Sequence, residues 1–207
     1  MFLTRLLFLT LIAAALSIAG VIDFEDLNVA VGTQLNTGSG VGVQTGGFNY
    51  TPGPNNSSGF NDLHISNQEA FGPWNGTTNG RSHDDVVLTQ VGGAAFSLQN
   101  FDFAGWTGGE VAFTVTGNYA GGGSITERFV PDGVSDGPGG QADFQTFTVT
   151  GNWTNLASVV WVHTGAGTNQ GLFSLDNINV NATPEPASFS VLGLGLIALG
   201  WLHRKRR

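Results

Sequence analysis

The side chains able to do chemistry are mostly carboxylates: fifteen Asp and Glu against seven Lys and Arg, with four His and no Cys in 207 residues. No two acids are marked by spacing as a catalytic acid and base. The chain has no Gly-x-Ser-x-Gly, no His-Glu-x-x-His, no phosphate-binding loop and no thiol nucleophile. An enzyme reading would need a cleft carboxyl group with a raised pKa, so the sequence points to a non-catalytic protein. Three acids nevertheless stand out. In residues 21–27 strand alternation places Asp23 and Glu25 on one face, about 6.5–7 Å apart. In residues 173–180 strict alternation puts Asp176 on the face of Leu172, Ile178 and Val180. A carboxylate buried there must be paired or bind a metal, or the strand must bulge at Asp176-Asn177. His83-Asp84-Asp85 is a further metal-type cluster, but adjacent strand residues point to opposite faces, and a solvated turn is the plainer reading. His64 and His163 are isolated and read as packing or surface residues.

The second chemistry is aromatic. Trp74 lies in a polar loop, Trp106 beside glycines, and Trp153 in a turn after Gly151-Asn152. Sugar rings stack on exposed indole faces while Asn, Asp and Gln take their hydroxyls. Trp153 and Trp161 fit better as caps on the core, which leaves Trp74 as the candidate ligand-binding residue.

These residues need elements to hold them. High glycine (32 residues), much Thr and Asn, and few Lys and Glu disfavour helices and suit short strands joined by turns. Strand patterns occupy residues 21–27, 60–65, 86–88, 95–103, 111–116, 124–130, 144–150, 156–163 and 173–180, with a short one around Val41 and Val43. Residues 71–81, with Pro73 and two Asn-Gly pairs, read as a long loop. The run 156–163 is almost continuously apolar and is expected to be central. Regular strand spacing and no helical period imply an all-β, antiparallel β-sandwich. This body, residues 20–182, is large enough for one domain with a real core. Its two arginines, Arg81 and Arg128, face fourteen acids, a net charge of −12. Such a surface repels nucleic acid and anionic lipid and favours cations or neutral partners.

The ends are different. Residues 1–19 carry one early charge, Arg5, then an apolar stretch and the small residues Ser17-Ile18-Ala19. That is a signal-peptide pattern with cleavage expected after Ala19. Residues 183–207 hold three devices in series: Pro184-Glu185-Pro186, an uncharged run from Phe189 to Leu202, and Arg204-Lys205-Arg206-Arg207. The prolines keep the first segment extended. The run, as a helix, covers roughly 22 Å of the ~30 Å hydrocarbon core and inserts marginally. The basic tail stays cytoplasmic, which places Glu185 across the membrane. An ordinary single-span anchor is the alternative.

In this order the parts resemble the PEP-CTERM sorting signal of Gram-negative, exopolysaccharide-producing bacteria. The resemblance implies recognition by an exosortase-type membrane enzyme, removal of the tail near Pro184-Glu185-Pro186, transient anchoring in the inner membrane, and delivery to the cell surface or extracellular matrix. The body's second half resembles PEP-CTERM passengers through Phe101-Asp102-Phe103-Ala104, the strand from Val111 to Gly117, Phe144-Gln145-Thr146-Phe147 and the run from Trp153 to Val159. Phe173-Ser174-Leu175-Asp176-Asn177-Ile178 is similar to the last strand of jelly-roll carbohydrate-binding domains. That likeness implies adjacent first and last strands with a structural Ca²⁺ between them, for which Asp23, Glu25 and Asp176 are the candidate ligands. The alternative is that these acids are edge or turn residues. Together the residues imply an exported, non-catalytic component or binder of exopolysaccharide in biofilm or floc. A calcium-braced lectin-like module is the alternative, and a secreted glycan hydrolase or esterase comes third.

Overall fold

The computed structural model describes residues 18–54, 61–68, 72–83, 85–105, 112–163 and 172–182. Within them the chain forms thirteen strands and two short 3-10 turns. The first seven strands are β1 Ile18–Ile22, β2 Gln34–Asn36, β3 Val43–Thr45, β4 Phe48–Pro52, β5 Leu63–Ser66, β6 Asn79–Ser82 and β7 Asp85–Gln90. Then come β8 Phe96–Gly105, β9 Phe113–Tyr119, β10 Ser124–Phe129, β11 Gln145–Thr148, β12 Leu156–Val162 and β13 Phe173–Ala182.

All thirteen belong to one curled antiparallel sheet. Between β8 and β12, however, the ladder narrows to a single pair, Leu156 with Phe96. The curl therefore separates two layers. One carries β2-β5-β6-β13-β8-β11, with β1 on the far half of β13. The other carries β10-β9-β12-β7-β4-β3. The apolar run of β12 is central as expected, paired with β7 on one side and β9 on the other.

Aromatic rings from the two layers fill the space between them, as the alternation of β8 and β9 requires. Phe103 stacks on Phe113 at 3.7 Å between ring centroids, and Phe101 meets Trp161 edge-on at 5.5 Å. Phe48 and Phe96 close the other end at 5.1 Å. Each such ring buries apolar surface worth roughly 1.5–3 kcal/mol, and with no cysteine the core carries stability that disulfides could otherwise add. Trp153 and Trp161 are fully inside. The Trp153 indole N–H donates to the Thr150 carbonyl at 2.8 Å, which fits their reading as core caps.

The first strand departs from expectation. It ends at Ile22, and residues 25–27 form a 3-10 turn, so Asp23 and Glu25 do not share one face of a strand. The cause is Phe24. Its ring is completely buried, edge-on to Tyr50 at 5.0 Å, and its backbone takes the left-handed conformation, φ 61°. Such a conformation costs a bulky residue about 1–3 kcal/mol, and burial of the ring offsets that cost. The Asp23 carboxylate supports the turn by accepting the Glu25 N–H at 3.2 Å. Strand β6 also takes up the end of the 71–81 stretch that reads as a loop, because Asn79–Ser82 pair between β5 and β13. Strands β2 and β4 lie where no strand pattern is marked.

Candidate functional site

The layer containing β13 presents its apolar residues inward: Leu63, Ile65, Phe103, Phe173 and Leu175 are all buried in the core. Its other face is polar and is also largely covered. Asp176, Arg81, Asn79, Ser174 and Ser66 are buried there, among 72–78 loop residues that include the buried Gly72, Pro73 and Thr78. Burial of polar groups on an outward face requires partners, and the partners outline the site.

Asp176 is completely buried. It reaches the polar face because β13 bulges. Its register to β8 shifts between Asp176 and Asn179, and Asn177 has φ 45°. The bulge lets Leu175 and Ile178 both point inward while Asp176 points out, which is the resolution that alternation demanded. One Asp176 oxygen accepts from Asn75 Nδ2 and Thr77 Oγ1, each at 2.8 Å, and the other accepts the Asn177 N–H at 2.8 Å. Asp102 is its cross-strand partner, itself accepting from Asn177 Nδ2 at 2.8 Å and Thr146 Oγ1 at 2.6 Å. Burial pushes the Asp176 carboxyl up to about 6 against the pull of its three donors, and the neighbouring Asp102 adds to the rise.

Glu25 is tied to the same loop: its Oε1 accepts the Thr78 N–H at 2.6 Å. First strand and last are neighbours, β1 pairing along the distal half of β13. The three acids proposed for Ca²⁺ are thus brought to one region of the fold. Calcium needs six to eight oxygens with lone pairs directed at it. Here both oxygens of Asp176 already face N–H and O–H donors, and Asp23 and Glu25 each accept a backbone N–H. In this arrangement the residues fit a hydrogen-bonded buried carboxylate rather than a calcium cage, since Asn75 and Thr77 would have to turn away to admit the ion.

Trp74 sits on the same loop, next to Asn75. It is half-buried, and its indole nitrogen is buried with no hydrogen-bond partner. It is followed by the exposed Asn75, Gly76 and Thr77. Trp106 and Asp84 lie outside the described residues.

A second polar cluster groups His83 with residues other than the Asp84 and Asp85 beside which the sequence sets it. In register across β2, β5, β6 and β13, Asn36, His64, Arg81 and Ser174 form one row. Asp62 and His83 lie two residues beyond His64 and Arg81, on the same face by alternation. Asp62 Oδ2 is 3.1 Å from His64 Nε2, and Asp62 Oδ1 is 3.8 Å from His83 Nε2. The two imidazoles tilt against each other at 5.9 Å. Among the described residues this is the group of three metal-capable side chains whose ligand atoms all lie within 4.8 Å of one another. Burial, then the Arg81 charge, lowers the His64 pKa against the pull of Asp62. Burial also lowers Arg81, to about 10. The sequence signal was faint: Asp-x-His on one strand, and a His nineteen residues later on the next.

β13 ends at Ala182, where the sequence changes character. Residues 182–207 match the PEP-CTERM protein-sorting motif. The tail is a PEP-CTERM sorting signal. It marks the chain as an exported protein, anchored transiently in the membrane and processed by an exosortase. The hydrophobic run and basic cluster of the signal lie outside the described residues, and among the described residues no helix is long and apolar enough to cross a membrane. The comparison with curated proteins finds no match.

Proposed function

We propose that the protein is a non-catalytic component of the extracellular polysaccharide matrix of a Gram-negative bacterium, exported through a Sec signal peptide, that binds its glycan through the 72–78 loop. The observation that carries this reading is the junction at Ala182. A closed β-sandwich ends in a strand that runs directly into the sorting signal, so the delivered product is the sandwich itself. The site on that sandwich favours binding over turnover. Asp176, the acid with the raised pKa, is fully buried and held by three chain donors, and so serves the loop more readily than a substrate. On the same loop, the half-buried Trp74 stands next to the exposed Asn75 and near Thr77, one aromatic residue among several neutral polar groups. That combination suits an uncharged or weakly charged sugar, and the acidic body is poorly matched to a polyanion.

The test is a titration of the processed protein against the producing organism's exopolysaccharide, in calcium and in EDTA. The expected result is saturable binding that persists in EDTA and falls at least tenfold in Trp74→Ala. Binding lost in EDTA would instead favour the calcium-braced lectin-like module. No binding in either medium by a folded protein would remove the glycan-binding reading. A purely structural role, with self-association through sheet edges, would then take its place.

A further inference from the structure

We propose that Asp62, His64 and His83 form a binding site for one divalent transition-metal ion of the zinc class, separate from the 72–78 loop and independent of the glycan reading. Three things carry this. The donor set is two imidazoles and a carboxylate, which suits zinc, nickel, copper or cobalt and not calcium or magnesium. The spacing is close to what is needed: ligands about 2.0–2.2 Å from a tetrahedral ion lie about 3.4 Å from one another. Here one ligand atom from each of the three residues lies within 4.8 Å of the others, with Asp62 Oδ2 3.1 Å from His64 Nε2 and Asp62 Oδ1 3.8 Å from His83 Nε2, so a small inward movement of the side chains closes the set. The placement is also built rather than incidental. Asp62 and His64 come from the β5 strand and its approach, and His83 from the end of β6, so the β5–β6 register fixes the group. All three are half-buried, and Asp62 Oδ1 is a buried atom that accepts no hydrogen bond.

The proton held between His64 Nε2 and Asp62 Oδ2 occupies the place the metal would take. Binding moves that proton to solvent or to His64 Nδ1, leaves both Nε2 lone pairs on the ion, and keeps Asp62 as the anionic ligand. Three protein ligands leave a fourth position for water or for an oxygen of a partner molecule. Arg81 stands in the same row and disfavours a second positive charge nearby, although its guanidinium also donates to Gln34 Oε1 at 3.3 Å. The ion is therefore expected to bind reversibly and not as a permanent structural metal.

The experiment uses the full chain in detergent, without a polyhistidine tag, stripped with chelator and titrated with Co²⁺ and then Zn²⁺. The expected result is one equivalent bound, the visible absorption of tetrahedral cobalt, and its bleaching by zinc. His64→Gln and His83→Asn are each expected to weaken binding beyond the roughly 10–100-fold that loss of an outer-shell partner costs. Cobalt titration of the wild-type chain without tetrahedral bands overturns the proposal whatever the variants do. Equal binding by the wild type and both variants also overturns it, because the metal would then sit elsewhere.

Discussion

Asp176→Asn isolates the cost of a buried charge at the centre of the polar face. The wild-type carboxyl rises from 3.8 to about 6, chiefly by burial, with Asp102 adding to the rise. A raised folded-state value means that the native protein holds this proton more tightly than the unfolded chain. The contribution to stability is fully present below about pH 3.8 and is lost as pH rises through 6. At ~1.36 kcal/mol per unit the loss is about 3 kcal/mol. The amide is never charged, so it escapes this loss. It can still accept from Asn75 and Thr77 but leaves the Asn177 N–H poorly matched, a penalty of about 1–2 kcal/mol at every pH. Asp176→Asn is therefore expected to be less stable than wild type at pH 4, by about 0.5–1.5 kcal/mol because a little of the carboxyl's contribution is already lost there, and more stable at pH 8 by about 1–2 kcal/mol. The assay is urea unfolding of both proteins from pH 4 to 8, taking the difference at each pH so that repulsion among the other acids cancels. A difference that stays flat across this range would refute the desolvated carboxylate. Repeating the series with calcium tests the cage directly. If calcium reversed the sign at pH 8, with the wild type gaining several kcal/mol over the variant, Asp176 would be a metal ligand after all.

Two further outcomes bear on the core and on the tail. Gly80→Ala places a Cβ 2.6 Å from Phe24 Cζ and 3.0 Å from Tyr50 Cε1, both on fully buried rings. Overpacking of about 1–3 kcal/mol is expected, read as a lower urea midpoint with an unchanged slope; a neutral result would mean that Phe24 is free to move. In the sorting signal, Glu185→Ala is expected to block processing while the body folds normally, so that a precursor about 25 residues longer accumulates in the membrane fraction; mass spectrometry of the membrane and secreted fractions decides it.

Much of the fold was legible because its cause is alternation. Phe113, Val115 and Gly117 face inward and Thr114 and Thr116 outward, as the period of two in that stretch requires. The bulge at Asp176-Asn177 could be inferred because a carboxylate stood where a core residue belonged. The 3-10 turn at residues 25–27 could not. Nothing local marks Phe24 for a left-handed conformation, and the reason for it is the ring of Tyr50, contributed by a strand twenty-six residues later. The same limit hid the histidines. His64 looks isolated in the sequence and His83 is grouped there with its own neighbours, Asp84 and Asp85; only the pairing of β5 with β6 brings the two histidines to one carboxylate, that of Asp62. Which strands pair decides which polar residues meet; the hydrophobic pattern can fix the face a residue takes once two strands are paired, but it does not say that β5 pairs with β6.

The junction between body and sorting signal has a mechanical consequence. Ala182, the last residue of β13, pairs with Ile18 at the start of β1, so both ends of the sandwich leave from one edge of one layer. From Ala182 to Glu185 the chain spans only three residues, about 10 Å at full extension. A membrane enzyme acting near Pro184-Glu185-Pro186 must therefore work with the folded sheet almost against it, unless the last pairs of β1 and β13 open. A cut after Ala19, as the signal-peptide pattern of residues 1–19 leads one to expect, would bear on the same place. It would remove Ile18 and Ala19 and with them the two pairs nearest the tail, leaving Gly20 with Val180 as the first pair of that ladder. That would free Asn181 and Ala182 from β1 and add up to two residues, about 7 Å, to the reach of the segment on that side. The β8 ladder still holds both residues, through Ser97 and Phe96, so full release needs that end of β13 to peel from β8 as well. Removal of such a leader at one end would thus loosen the strand that presents the motif at the other. The order of the two cuts would then be a property of the fold, with the amino-terminal one favoured first.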